Sequence, residues 1–246
     1  TYTGASASNA NPQIQVLSTN IIVSGSSNVA SATVALAVDT SLQGQTGTTA
    51  AGPCPCAWSI TGVTPPTTGQ VITVWLDGVA DTSESTAVTL YSGSGNITGM
   101  QLDSNVLSIG SNGTYAEQSL TVTNLGQYDC NQDEDVMHTA NTSVLDVEEA
   151  TAECLGSVAN GYTDETIRIE EGDTLTIAGT ETLDTHNVTI DDAGGGMDGI
   201  LTSSGAGTFT VSGSWTNKGD FNTGSEVVTF TSGSSETINS TGSVDF

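Results

Sequence analysis

Residues 207–233 read GTFTVSGSWTNKGDFNTGSEVVTFTSG, and the alternation inside them decides the class of fold. Phe209-Thr-Val211 and Val228-Thr-Phe230 each set two apolar side chains around one threonine. That is the period of a strand showing a single face to a core. Gly, Asn and Asp fill the intervals, where the chain must turn.

The same unit recurs upstream as Ile167-Arg-Ile169, Leu175-Thr-Ile177 and Val188-Thr-Ile190. Its spacing falls near the lower range of solenoid repeats, so residues 166–246 are predicted to form a β-solenoid. The alternative is a second β-sandwich, in which the same strands pair as hairpins. Further upstream, β-branched runs at 13–17, 20–23, 32–38, 58–63, 70–76, 87–91, 106–109 and 119–122 are split by turn residues. Strands so spaced read as an Ig-like β-sandwich over residues 13–127. The fold class expected is therefore all-β. Residues 1–12 (TYTGASASNANP) read as a flexible N-terminal arm, and residues 128–165 as an acidic connector. Within that connector Ser143-Val-Leu-Asp146 fits a capping box, which predicts a short helix over 144–155.

Charge removes whole classes of partner. The 246 residues hold 28 Asp and Glu against 2 Lys and Arg, a net charge of −26. Arg168 and Lys218 alone cannot build the cationic surface that nucleic acid or anionic lipid requires. No apolar run approaches the ~18 residues of a spanning helix, so membrane insertion is not expected. The chain reads as a mature secreted protein or a piece of a longer one.

The even set Cys54, Cys56, Cys130 and Cys154 points to disulfides and an oxidising, extracellular compartment; Cys-x-Cys is not the usual zinc spacing. Bonding Cys54 to Cys56 across Pro55 would close a very tight loop. The expected pairing is therefore each of Cys54 and Cys56 with one of Cys130 and Cys154.

One cluster has metal-ligand spacing. Asp129, Asn131, Asp133 and Asp135 offer oxygen at every second position, as a loop wrapping Ca²⁺ would. It departs from an EF-hand at Glu134, where glycine belongs, and at Ala140, where the bidentate Glu belongs; the rival reading is a solvated acidic loop. Adjacent carboxylates such as Glu170-Glu171 read as surface charge rather than a hydrolytic pair, His138 and His186 sit in no nucleophile motif, and no organic cofactor is implied.

The 207–233 stretch resembles a repeat of large secreted surface proteins of the candidate phyla radiation, in which a glycine-flanked strand leads into Trp-Thr-Asn, a Gly-x-Phe turn and a strand ending Val-Thr-Phe. GQVITVWLDGVADTSESTAVTL, ITGMQLDSNVLSIG and IEEGDTLTIAG extend the likeness over roughly residues 69–246. The resemblance implies a structural role at the cell surface and carries no catalytic residues.

The function these readings converge on is a non-enzymatic subunit of an extracellular filament. Ile14, Val16 and Leu17, or Ile21, Ile22 and Val23, would add a strand to another copy of the chain. The alternative is an adhesin or tail-fibre-like protein that binds glycan or a host surface.

Overall fold

The structure is a computed structural model that describes residues 20–112, 117–147, 164–192, 197–222, 224–232, 237–241 and 243–244. It is an all-β protein. The first strands are β1 (Ile21–Ser27), β2 (Thr33–Val38), β3 (Ser41–Leu42), β4 (Gly47–Thr48), β5 (Cys56–Val63), β6 (Val71–Asp77), β7 (Ser85–Leu90) and β8 (Ile97–Leu102). A three-stranded sheet, ordered β5-β1-β8, lies over β2, β6 and β7. Between the layers Val23, Trp58, Ile60, Ile97 and Met100 meet Leu36, Ile72, Val74 and Leu76 in one core. β6 is buried from Val71 to Leu76, with Thr73 its one polar residue there, because both of its faces are covered, the condition that erases alternation. Ile72, Val74 and Leu76 face this core, while Val71 and Trp75 face two others.

The second half is a three-sided parallel β-helix. Its first turn consists of β9 (Val106–Ile109), β10 (Ser119–Thr121), the one-turn helix α1 (Val122–Leu125), β11 (Thr139–Ala140) and β12 (Val144–Asp146). Three strands per turn follow: β13 (Thr166–Ile169), β14 (Thr174–Ile177) and β15 (Thr182–Thr185), then β16 (Asn187–Ile190), β17 (Ile200–Ser203) and β18 (Thr208–Val211). After these come β19 (Trp215–Asn217), β20 (Asp220–Asn222) and β21 (Val227–Phe230), and finally β22 (Ile238–Ser240) and β23 (Ser243–Val244). Parallel in-register pairing stacks inward side chains in columns: Leu107, Ile167, Val188, Trp215 and Ile238 on one side, Leu120, Leu175, Leu201 and Phe221 on the second, Leu145, Leu183, Phe209 and Val228 on the third. β13, β14 and β16 keep their branched apolar residues inside and their polar residues outside, the alternation that the sequence predicts.

Glycine belongs at the corners because successive turns touch there backbone to backbone. A Cβ on Gly205 would lie 2.1 Å from the Gly179 carbonyl oxygen, and one on Gly219 would lie 2.3 Å from that of Gly199. The helix is closed at its first turn. Thr121 and Asn124 cap α1 reciprocally, and its Val122 and Leu125 are fully buried against the columns.

Several expectations need correction. The β-helix begins at β9, within the segment assigned to the sandwich, since Val106–Ile109 pairs with β7 on one side and β13 on the other. One sheet thus runs unbroken through both halves. Part of the expected connector is likewise built into the first turn: Val144–Asp146 is strand β12, not helix, because Leu145 fills a column above Leu183. Positions 148–155 of that expected helix, and the arm over 1–12, lie outside the described residues.

Ile21, Ile22 and Val23 are not a free strand for another copy. They open β1, the central strand of its own small sheet, with Ile21 and Val23 buried. Ile14, Val16 and Leu17 lie outside the described residues. The cysteine pairing also differs: Cys54 bonds to Cys56, with Cα atoms 4.3 Å apart and the Cys54–Pro55 peptide cis. Cys56 then starts β5 opposite Ser27. Cys130 is held elsewhere, beyond α1, with its Sγ 3.0 Å from the Thr139 hydroxyl. It is disulfide-bonded to a residue outside those described, where Cys154 also lies.

Candidate functional site

The loop from Tyr128 to His138 is laid across the outer face of β6 and β7. Tyr128 stacks on Trp75 with ring centroids 5.0 Å apart, Val136 packs beside them, and the Met137 amide donates to the Thr86 hydroxyl. This anchoring carries Asp133 and Asp135 to the end of β6, where Asp77 emerges. One carboxylate oxygen from each of Asp77, Asp133 and Asp135 lies within 4.8 Å of the others. The Gly78 amide donates to Asp135 at 2.9 Å, fixing its orientation.

Four residues were expected to form this site, and the structure brings only two of them together. Asp129 is buried and accepts from the amides of Asn131 and Ala140, so both of its oxygens brace the loop from within. Asn131 is exposed on the loop surface. The residue missed from sequence is Asp77, which ends a strand far from the loop; its only signal is a charge closing an apolar run.

The electrostatics are those of crowded like charges. Burial pushes the Asp135 carboxyl up to about 6, and Asp133, Asp77 and Glu134 add to the rise, against the Gly78 amide that lowers it. Asp133 is raised as well, by burial first and by Asp77 and Glu134. Burial, then Asp133 and Asp77, also raise the Tyr128 hydroxyl. A hard divalent cation bound by these oxygens would relieve that repulsion, which is the chemistry of calcium sites.

The protein's two cationic side chains are engaged elsewhere. Arg168 donates to Asp103 and Glu170 at 2.8 Å and to the Ser108 hydroxyl at 2.9 Å. Lys218 lies 3.5 Å from Asp191, so its amine meets a turn carboxylate at the surface. Glu170 and Asp173 are both pushed up to about 7 by burial. Asp173 accepts from the amides of Ser111 and Gln118, and Glu170 is sealed from solvent, so both act as braces of the corner after β13. His138 is buried with its Nε2 donating to the Leu125 carbonyl, and His186 pairs through Nδ1 with the Ser212 hydroxyl at 2.8 Å.

A second feature is an edge. In the interior strands inward residues are buried, but along β21 Val228 and Phe230 are only partly so, and Ile238 of β22 is 55% exposed. Among the described residues no strand pairs with the outer edge of β21. Among the described residues the inward columns are therefore less covered here than at the first turn, where α1 packs on them. Comparison with protein-family models, with curated proteins and with solved structures finds no match to the chain.

Proposed function

We propose that the chain is a secreted, non-enzymatic structural protein, a subunit of an extracellular filament or sheath that assembles when one copy adds a β-strand to a sheet edge of the next. The observation that carries this reading is the outer edge of β21, with which no strand pairs among the described residues. Its residues Val227-Val-Thr-Phe230 are extended, apolar and uncharged. Soluble proteins usually blunt such an edge with lysine, proline or a bulge. Here the neighbouring Glu226 turns back to accept from the Gly224 amide. With Ile21–Val23 consumed by their own sheet, the strand on offer is Ile14, Val16 and Leu17.

Other features support the reading less directly. Disulfides suit an oxidising, extracellular compartment. Calcium at Asp77, Asp133 and Asp135 would offset part of the −26 charge that otherwise keeps copies apart. The adhesin alternative calls for an exposed aromatic platform, whereas Trp58, Trp75 and Trp215 are all buried. Sedimentation velocity of the purified chain across a range of concentrations tests the proposal. Growth into large, fast-sedimenting species is expected with calcium present, and a concentration-independent monomer would overturn it.

A further inference from the structure

We infer that the outer face of the β5-β1-β8 sheet is a self-association surface, on which a second copy of the chain packs face to face about a two-fold axis. The contact needs no strand donation, so it goes beyond the assembly reading above.

Charge singles out this face. Asp39 is the only charged residue among the first 76, which leaves 27 of the 28 acidic residues from Asp77 onward. β1 and β5 belong to that neutral stretch, and β8 carries no charge either. Alternation turns Ile22, Ser24, Ser26, Ala57, Ser59 and Gln101 outward, while Val23, Trp58, Ile60, Ile97 and Met100 enter the core. Two copies with a net charge of −26 each repel one another, and this sheet brings no charged side chain to the contact.

Shape supplies the complement. Ile22 is 37% exposed, the one large apolar side chain that these three strands leave uncovered. Two residues further along β1 a trough of about 460 Å³ opens, lined by Ser24, Ser26, Ala57, Gly99, Gln101 and Asn112. The Trp58 indole beneath it already donates to the Ser26 carbonyl at 3.1 Å, so closing the trough leaves that donor paired. An axis close to Ser24 places Ile22 of each copy in the trough of the other, the reciprocal fit of a closed dimer.

The test is sedimentation equilibrium of the full chain in chelator, at low and at raised salt. A monomer–dimer equilibrium is expected, and it should tighten as salt screens the repulsion between two anionic bodies. Ile22→Asp and Ser59→Asp should each weaken it roughly tenfold or more, since like charges would then face each other across the contact. Near-UV circular dichroism should stay unchanged in both. Thr210→Asp adds the same charge on β18 and should leave the equilibrium as it is. Ser24→Cys should oxidise to a covalent dimer. A chain that is monomeric at every salt concentration, or a dimer that both face variants leave intact, would overturn the inference. Persistence of this dimer without filament growth in calcium would sink strand donation alone, so the two failures are read apart.

Discussion

Ile238 stands in the same inward column as Trp215, its register partner, yet Trp215 is fully buried and Ile238 is 55% exposed. The two side chains point the same way, and the difference is what lies above them. Trp215 is packed edge-on by Phe221 at 4.9 Å and Phe230 at 6.5 Å, whereas Ile238 is left exposed by the described residues.

Their truncations should therefore diverge in the unassembled protein. Trp215→Ala removes a large side chain from the densest part of the column and should cost about 3–5 kcal/mol. Ile238→Ala should cost no more than about 0.5 kcal/mol, as at ordinary surface positions. Urea unfolding of the two variants gives both numbers. A large loss at Ile238 would mean that something covers it.

Gly25 tests the sandwich half. It sits where β1 crosses closest to β8, and an added Cβ would lie 1.7 Å from the Met100 carbonyl oxygen. Backbone cannot give way as a flexible side chain can. Gly25→Ala should destabilise by about 3 kcal/mol, at the upper end for overpacking. The shift of the urea midpoint measures it, and a change below about 1 kcal/mol would show that the two strands separate readily.

Stability should fall as pH rises from 6 to 8. Burial holds Glu170 and Asp173 up to about 7 and Asp135 up to about 6. Below those values the folded protein keeps protons that the unfolded chain has already released, so the stabilisation present at lower pH is lost as each group passes its folded value and the decline levels off towards pH 8. His138 works in the opposite sense at more acid pH, since burial lowers its pKa and the unfolded chain takes up that proton first. Thermal unfolding at closely spaced pH values should show the decline, and Glu170→Gln should flatten it. A melting temperature that climbs from pH 6 to 8 would contradict the assignment.

Calcium should raise the melting temperature through Asp77, Asp133 and Asp135. Asp135→Asn keeps an oxygen for the Gly78 amide but removes a crowded charge. Without calcium the variant should be as stable as the unsubstituted chain or more so, and with calcium it should lose most of the gain. Scanning calorimetry with added calcium and with chelator reads both effects. An equal calcium response in the two proteins would place the ion elsewhere.

Much of this was legible in the sequence wherever one strand's own alternation carries the information. Thr174-Leu-Thr-Ile177 states which side chains face in without reference to any partner. Pairing was less accessible. Val106–Ile109 looks like any sandwich strand, and only its contact with Thr166–Ile169 makes it the first turn of a β-helix. The acidic loop was visible as a cluster, but spacing alone could not tell that Asp129 turns inward to two backbone amides, or that Asp77 arrives from β6. Likewise Ile21 and Val23 have the composition of a donor strand and of a core strand alike; β5 and β8 on either side make them core.

The most direct test of the central claim is negative-stain electron microscopy of the full chain beside a variant lacking residues 1–19, which keeps β1 whole. Regular filaments from the full chain, and dispersed particles with intact near-UV circular dichroism from the truncated one, are the result expected. Filaments from both, or from neither, would contradict assembly by strand donation.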